Sequence, residues 1–243
     1  MSFIIYSLIG LMPGDPIDIM VQSDPDLTPA DADRLKAIYG LDQPLMGRYW
    51  NWLTSAVQGE FGFSRIHNRP VLEILGPRLA NTFLLMGSSL LLALMLAVPM
   101  GIYSAIHPHS RSDFAINIFA LGGTSIPLFW LVLILIVVFS VWLEWLPASA
   151  LYDQNANLLN KVRHMVLPVF ALSLATVGPL TRHMRAAMIE VLGHDYIRTA
   201  RAKGLRERKV VINHALRNAM IPVVTILSLS FGSLFSGALI TET

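Results

Sequence analysis

The sequence predicts an all-α protein, a polytopic bundle of transmembrane helices. Of its 243 residues, 54% are hydrophobic and only 14% are charged, which lies outside the usual range of a soluble domain. Uncharged apolar runs long enough to cross a bilayer recur along the chain. Half of the 18 Lys and Arg residues lie in one loop between two such runs, at Arg182, Arg185, Arg198, Arg201, Lys203, Arg206, Arg208, Lys209 and Arg217.

The first apolar run, Ser2 to Met12, is about eleven residues long, which is too short to cross the hydrocarbon alone. A signal-peptide core is the alternative interpretation. No basic region precedes the run, however, and the turn sequence Pro13–Pro16 follows it in place of a cleavage site. We therefore interpret residues 1–12 as the distal part of a truncated first transmembrane span.

A polar segment follows at residues 13–80, and its Asp and Glu outnumber its Lys and Arg. Thr28 as N-cap, Pro29 as first residue and Gly40 as stop predict a helix from Pro29 to Tyr39. A second helix is predicted from Pro44 to Val57, with one apolar face and Gly59 beyond its end. These helices either cap the outer mouth of the bundle or dock a soluble partner, and both alternatives stay open.

Four longer runs predict complete spans, and together with the first they make about five: Thr82 to Ile106, Phe114 to Leu143, Met165 to Thr181 and Ala219 to Ile240. Gly122–Pro127 predicts a kink or a non-helical turn inside the second of them. Pro168 and Pro179 lie inside the third, which is also the shortest.

Charge bias orients these spans. Cytoplasmic loops carry an excess of Lys and Arg, so the loop with half of the cations faces the cytoplasm and the acidic segment 13–80 faces outward. Because each span crosses the membrane in the direction opposite to the one before it, residues 107–113 face the cytoplasm and residues 144–164 face outward. Trp142 and Trp145 then lie at the outer membrane interface. Because this rule accounts for the basic residues, they do not indicate nucleic-acid binding.

The cation-rich loop contains start and stop signals for a short helix from Tyr196 to Lys203. Gly193 ends the preceding helix, Asp195 is the predicted N-cap, and Gly204 is the predicted left-handed residue after the last turn. So short a helix is marginal in isolation and needs other contacts to hold it.

Side chains in and directly after this short helix form an apolar face that is surrounded by positively charged residues, called the ring of charge below. Tyr196, Ile197, Ala200 and Leu205 form the apolar face, and the cations are Arg198, Arg201 and Lys203. Such a face fits an acidic-rimmed groove in a partner protein, which is the helix-in-groove mode of recognition. A surface helix lying on anionic lipid headgroups is the alternative.

Two neighbouring stretches of this loop resemble a known motif. Residues 198–205 (RTARAKGL) followed by residues 214–223 (HALRNAMIPV) are similar to the EAA loop of binding-protein-dependent (MetI-like) ABC importers. Residues 11–16 (LMPGDP), 39–45 (YGLDQPL) and 59–64 (GEFGFS) are similar to further signatures of one branch, in the same order. The chain thus resembles the B-type permease subunit of dipeptide, oligopeptide and nickel importers over almost its whole length.

The resemblance implies that the loop forms a coupling helix seated in a cleft of a cytoplasmic ATPase subunit. The E-A-A positions fall on Arg198, Thr199 and Ala200, so the Glu is absent, and the Gly falls on Gly204. The coupling residues it implies are Asp195, Tyr196, Ile197, Arg198, Thr199, Ala200, Arg201, Ala202, Lys203, Gly204 and Leu205. Helical extensions at Arg182 to Leu192 and Glu207 to Asn218 are expected to act as stiff levers on either side.

The same resemblance implies the partners: a second permease subunit, two cytoplasmic ATPase subunits, and a periplasmic or lipid-anchored substrate-binding protein, with the chain embedded in membrane lipid of the bacterial inner membrane. ATP and magnesium are expected on the ATPase subunits, because this chain has no GxxxxGK[ST] motif. No cofactor or metal is expected on the chain itself, and no nucleic-acid partner.

The resemblance implies six spans, so we expect this sequence to lack the sixth span and the beginning of the first. The expected domains are residues 1–12, a truncated first span, residues 13–80, an extracytoplasmic helical segment, and residues 81–243, the transmembrane permease domain. The coupling loop occupies about residues 186–216 of that last domain.

The function predicted is that of a permease subunit forming the pathway for dipeptides, oligopeptides or a related small substrate, and not of an enzyme, since HExxH and GxSxG motifs are absent. A nickel or glutathione importer is one alternative, and a secondary transporter is another, although the predicted spans lack charges in their cores. Polar side chains at Asn117, Thr124 and Ser125 either line the pathway or make hydrogen bonds between helices or to the backbone.

Overall fold

The structure, a computed structural model, describes residues 2–11, 43–64, 67, 69–148 and 157–241, with no side chains for residues 230–241. It divides into two compact units, Met1–Leu79 and Ala80–Thr243. The helix predicted from Pro29 to Tyr39 lies outside the described residues.

In the first unit, helix α1 (Ser2–Gly10) packs against helix α2 (Leu45–Val57). The ring of Tyr49 lies 5.0 Å from that of Phe3 and 5.5 Å from that of Tyr6, both in edge-on geometry. The Tyr49 hydroxyl and the Ser2 hydroxyl are 2.8 Å apart and share a hydrogen bond. The helix predicted from Pro44 to Val57 is therefore confirmed, and its aromatic side chains hold the contact.

A short hairpin separates α2 from the next helix. Gly59 follows α2 with a φ of +88°, a conformation that glycine adopts without strain. The antiparallel strands β1 (Phe63–Ser64) and β2 (Arg69–Pro70) then form a two-stranded sheet, with Phe63 opposite Pro70. These strands are too short to be predicted from the sequence, since they contain only two residues each.

Helix α3 (Val71–Ile106) is 36 residues long and apolar enough to cross a membrane, which confirms the span predicted from Thr82 to Ile106. Its buried residues are spaced three or four apart and therefore share one face. They are mostly small: Thr82, Met86, Ser89, Ala93, Ala97, Gly101, Ser104 and Ala105. Leu84, Leu91 and Met95 are exposed, as expected for a surface that faces lipid.

The second predicted span is broken. Helix α4 (Arg111–Ser125) and helix α5 (Leu128–Ile136), which continues into a π-helical turn at Val137–Trp142, meet at an angle of 96°. Pro127 disfavours the helical conformation of the residue before it, and Ile126 is accordingly extended, with φ −90° and ψ 121°. The kink predicted at Gly122–Pro127 is confirmed.

Helix α6 (Leu158–Leu192) is longer than the span predicted from Met165 to Thr181. Pro168 and Pro179 lie within its 35 residues without ending it. In a membrane helix, neighbouring helices stabilise the backbone groups that a proline leaves unpaired. The predicted lever from Arg182 to Leu192 is the last three turns of α6, so it is continuous with the span.

Helix α7 (Asp195–Ala202) is the short helix of the loop, and a helical turn α8 (Glu207–Lys209) follows it. A π-helical turn at Val210–Ala215 then leads into helix α9 (Leu216–Thr241). The second lever, predicted from Glu207 to Asn218, is therefore helical but contains a π turn. Helices α3 and α6 and this last segment are each long and apolar enough to cross a membrane, and they make the four complete spans predicted when the bent pair α4–α5 is counted as one span.

Helix α6 is central to the second unit and packs against α4, α5 and α9. Glycine lets these helices approach closely. A Cβ atom on Gly178 would overlap the carbonyl oxygen of Ala120 in α4, and a Cβ atom on Gly101 in α3 would lie 2.6 Å from the Cβ atom of Met184. Small residues at such crossings are the usual means of helix association in lipid.

Candidate functional site

The N-terminal end of α7 lies directly after α6. Gly193 ends α6, and His194 is the N-cap of α7, with an extended backbone at φ −71° and ψ 149°. The prediction that Asp195 is the N-cap is wrong by one residue, because Asp195 is already helical. Its carboxylate accepts a hydrogen bond of 3.4 Å from Nη1 of Arg198 instead. An acidic group in the first turn still favours the helix through its dipole.

The C-terminal end of α7 forms a Schellman motif. Gly204 has a φ of +74°, which confirms the predicted left-handed residue. The N–H of Gly204 donates to the carbonyl of Arg201 at 2.9 Å, and the N–H of Leu205 donates to the carbonyl of Ala200 at 3.4 Å. This turn redirects the chain sharply, so that α8 follows α7 after a gap of four residues.

The inner face of α7 is buried in the chain's own core. Ile197 is fully buried and Ala200 is 7% exposed. They belong to one apolar cluster with side chains of α3, α6, the π turn and α9: Ala105, Met184, Ala187, Met188, Val191, Val210, Val211, Ala215, Ala219 and Val223. The prediction that Ile197 and Ala200 offer an apolar face to a partner is therefore wrong, because the two levers bring their own apolar faces against them.

The exposed side of α7, opposite the buried side and called its outer face below, is polar and cationic. Its exposed residues are Asp195, Tyr196, Arg198, Thr199, Arg201, Ala202 and Lys203, whereas Leu205 is partly buried. The side chain of Arg198 is 75% exposed. The cations of the predicted ring are thus accessible to another molecule, although Arg198 is paired with Asp195 and Arg201 with Glu207. The contact they offer is electrostatic more than apolar.

Two polar contacts attach α7 to the second lever. The side-chain amide of Asn218 donates a hydrogen bond of 2.8 Å to the hydroxyl of Tyr196. Arg201 donates from Nη2 and Nε to the two carboxylate oxygens of Glu207, at 2.6 and 3.1 Å. The hydrogen bonds with Glu207 raise the pKa of Arg201 above its usual value. Together with Ile197, these contacts fix the short helix on its supports.

An ion pair that is not predicted from the sequence lies near the same end of the bundle. Asp113, at the start of α4, is buried and bonded to Arg185 in α6. The spacing Ser110-x-x-Asp113 is a helix-start signal, and Ser110 is indeed the N-cap, its side chain accepting from the Asp113 N–H at 3.1 Å. No signal in the sequence distinguishes Arg185 from the other cations of the loop.

The residues predicted to line the pathway make hydrogen bonds to the backbone, which was the alternative. Asn117 donates to the carbonyl of Asp113 at 2.7 Å, and the hydroxyls of Thr124 and Ser125 donate to the carbonyl of Leu121 at 2.8 and 2.9 Å. Thr124 and Ser125 are nevertheless exposed in this chain, so their role in the pathway stays a prediction.

The chain is similar to known transport proteins. Residues 97–243, which include α4 to α9 and the whole loop, match the family described as binding-protein-dependent transport system inner membrane component. The chain is 42% identical to the oligopeptide transport system permease protein AppB of Bacillus subtilis (strain 168), in an alignment that covers 100% of this chain and 76% of that protein.

Two further relatives extend this similarity. A putative peptide permease protein of Brucella ovis is 40% identical over 100% of this chain and 77% of its own length. The glutathione transport system permease protein GsiC of Escherichia coli (strain K12) is 36% identical over 99% of this chain and 76% of its own length. With several helices able to cross a bilayer, the chain is a multi-pass inner-membrane permease subunit of an ABC importer. It belongs to the binding-protein-dependent transport system inner membrane component family.

Proposed function

We propose that this permease imports peptides and that α7 is the helix through which ATPase subunits drive it. The observation that carries the proposal is the division of α7 into two faces. The inner face is held in a core shared by α6 and α9, and the outer face presents cations to the surroundings. A helix fixed on one side and free on the other is suited to receive a force and pass it to two spans.

The rigidity of this arrangement supports a coupling role. Full burial of an Ile side chain such as Ile197 contributes about 1.5–3 kcal/mol, so α7 does not leave its supports easily. Arg201 and Tyr196 add hydrogen bonds to α8 and α9. A displacement of α7 would therefore move α6 and α9 with it. The residues Asp195 to Leu205 as a whole remain our candidates for the coupling contact, with the exposed ones touching the ATPase.

The names of the relatives support a peptide as substrate. One is named for oligopeptides, one for peptides and one for glutathione, which is itself a tripeptide. The chemistry that these substrates share is a short chain of amide bonds with free charged ends. A glutathione importer is the second candidate, favoured by the relative at 36% identity.

The proposed assembly contains a second permease subunit, two cytoplasmic ATPase subunits and an external binding protein that delivers the peptide. ATP and magnesium bind to the ATPase subunits. When the ATPase subunits close, they move the coupling helices of both permeases, and the pathway between the permeases opens alternately to the two sides. We expect the neighbouring genes to encode these partners.

The experiment is co-purification and uptake with charge-reversed variants. We expect the double variant Arg198→Glu with Lys203→Glu to insert normally, to lose the co-purified ATPase and to lose ATP-dependent uptake of a labelled peptide in proteoliposomes. Arg69→Glu is the matched control, because Arg69 is exposed in the first unit, away from the loop in sequence. Retention of ATPase and uptake in the double variant would contradict the coupling role of this face.

Substrate choice is tested in the same proteoliposomes. Labelled tri- and pentapeptides are offered with the binding protein, and unlabelled glutathione is added as competitor. Peptide uptake that glutathione does not reduce is the expected result. Uptake of labelled glutathione in a parallel assay, with no uptake of either labelled peptide, would replace the peptide assignment by the second candidate.

A further inference from the structure

Asp113 and Arg185 form a buried, two-pronged ion pair between helices α4 and α6. Arg185 Nε donates to Oδ1 of Asp113 and Nη2 donates to Oδ2, both at 2.8 Å. The Asp113 side chain is 6% exposed and that of Arg185 is 25% exposed. Such parallel bonds fix the relative orientation of the two groups as well as their distance.

The same carboxylate joins two more segments of the chain. The Ser104 hydroxyl of α3 donates to Asp113 Oδ1, and Arg185 Nε donates to the Ser104 oxygen at 3.0 Å. The backbone N–H of His109, in the turn between α3 and α4, donates to Asp113 Oδ2 at 2.9 Å. Asn117, one turn further along α4, donates to Oδ1 at 2.7 Å. One side chain thus bonds to α3, the α3–α4 turn, α4 and α6.

Stability alone is a weak reason for such a pair. Removing charges from water costs several kcal/mol per ion, and well-packed apolar residues of similar volume often stabilise a protein as much or more. A bidentate pair offers what apolar contacts do not, which is a fixed rotation of one helix relative to another. We therefore look for the role of the pair in the orientation that it gives to α4 and α6, and not in its contribution to the free energy of unfolding.

Arg185 lies where α6 turns from a span into a lever. From Arg185 the helix continues to Leu192 without a break, and α7 begins at Asp195. The neighbouring residues Met184 and Met188 belong to the apolar cluster that also holds Ile197 of α7. Hence α7, the end of α6 and Arg185 form a continuous packed body. Apolar contacts join this body to α3 at Ala105, α6 crosses α4 at Gly178, and Asp113 adds a directional polar contact with both α3 and α4.

We propose that Asp113 and Arg185 are positioning residues that transmit the displacement of α7 to the α3–α4 turn. The inference rests on the proposed function, because it requires α7 to be moved by an ATPase. Without the pair, the apolar contacts that remain would not fix the rotation of α3 and α4 relative to α6, so α3 and α4 would follow the motion of α7 and α6 incompletely. ATP hydrolysis would then continue with little transport.

The first test is the ratio of peptide uptake to ATP hydrolysed in proteoliposomes of the complete importer. Arg185→Lys keeps the charge and loses the paired hydrogen bonds. We expect it to assemble with the ATPase and hydrolyse ATP, while uptake per ATP falls at least fivefold, a typical size for a coupling free energy. Arg182→Lys is the matched control, since Arg182 is exposed on the same helix, and it should leave the ratio unchanged.

A purely structural role would lower uptake and ATP hydrolysis by the same factor, in proportion to the complex assembled, and that result would overturn the proposal. An unchanged ratio in Arg185→Lys would overturn it too. If the proposed function itself fails, the unaltered chain will already show no ATP-dependent uptake, so the two failures are distinguishable.

A second measurement avoids any variant of the pair. The chain has no cysteine, so spin labels can be placed specifically at His194→Cys, the N-cap of α7 outside the proposed coupling contact, and at His107→Cys in the α3–α4 turn, both of which are exposed. We expect the distance between the labels to be the same without ATP and with bound ATP, because the pair makes the two sites one body. A clear change in that distance in the otherwise unaltered importer would overturn the proposal.

Discussion

The amide of Asn218 donates a hydrogen bond of 2.8 Å to the hydroxyl of Tyr196, so that the first turn of α7 is bonded to the first turn of α9. The two residues are 22 positions apart in sequence and lie on either side of the Gly204 turn. The ring of His194 stacks on that of Tyr196, with centroids 5.7 Å apart. This contact holds the N-terminal end of α7, and the Arg201–Glu207 pair holds the other end.

Removing the Tyr196 hydroxyl should loosen α7 without unfolding the bundle. A single hydrogen bond contributes about 0.5–1.5 kcal/mol, and 1 kcal/mol changes a local opening equilibrium about fivefold. We therefore expect Tyr196→Phe to speed amide exchange at Ile197 and Ala200 about fivefold. Exchange in the middle of α6 should not change. The companion variant Asn218→Ala should have no additional effect in the Tyr196→Phe background, and full additivity would show that the bond is unimportant.

Gly204 should tolerate asparagine better than alanine or proline. A φ of +74° costs about 1–2 kcal/mol for a residue with a side chain. Asparagine adopts this left-handed conformation more readily than alanine does. Proline in addition fixes φ near −65° and removes the N–H that bonds to Arg201. We expect Gly204→Pro to insert in the membrane but to lose the co-purified ATPase, and Gly204→Asn to retain it. Equal ATPase recovery from the two variants would exclude a role for this turn.

Replacing Gly178 by alanine, which adds a single methyl group, should destabilise the helix bundle. Because a Cβ atom there would overlap the Ala120 carbonyl, Gly178→Ala must push α4 and α6 apart. Overpacking of this kind costs about 1–3 kcal/mol and should lower the melting temperature in detergent. Gly122→Ala in α4 is the matched control, since among the described residues no heavy atom lies within 4 Å of that Cβ position apart from Gly122 itself, its chain neighbours and the nearby backbone of its own helix. A melting temperature that falls equally in both variants would contradict the close crossing.

The exposed ion pair Arg201–Glu207 should contribute little to the free energy of unfolding, although its hydrogen bonds are short. The side chains of Arg201 and Glu207 are 43% and 52% exposed, and pairs in such surroundings contribute about 0.2–1 kcal/mol, less at high salt. Arg201→Gln should therefore lower the melting temperature only slightly, and the difference should shrink in 1 M salt. A large loss that is insensitive to salt would mean that the pair is buried in the assembly.

Local signals in the sequence predicted much of this architecture. Gly204 marked the left-handed turn after α7, and Pro127 marked the break between α4 and α5, because each residue acts on its own backbone and that of its neighbour. The start of α7 was misplaced by one residue, since either His194 or Asp195 can precede a helix and only the backbone conformation decides between them.

Contacts between distant residues were not predictable in this way. Ile197 and Ala200 look like a surface for a partner when the loop is read alone, but the levers on either side cover them. Arg185 and Asp113 lie 72 residues apart, and the sequence around either residue does not indicate that the other is its partner. The span predicted from Met165 to Thr181, with Pro168 and Pro179 inside it, is shorter than α6, because only the apolar run marks a span in the sequence and the helix continues beyond it at both ends.

Site-directed cross-linking at Thr199 tests the central claim, which is that the outer face of α7 contacts an ATPase in the cytoplasm. A photoactivatable thiol reagent is attached to Thr199→Cys in the assembled importer, and Trp142→Cys, exposed and predicted to lie on the other side of the membrane, is the control. We predict an adduct with the mass of one ATPase subunit at position 199 and none at position 142. An adduct only at position 142, or labelling of position 199 by an impermeant reagent from outside the cell, would contradict the account.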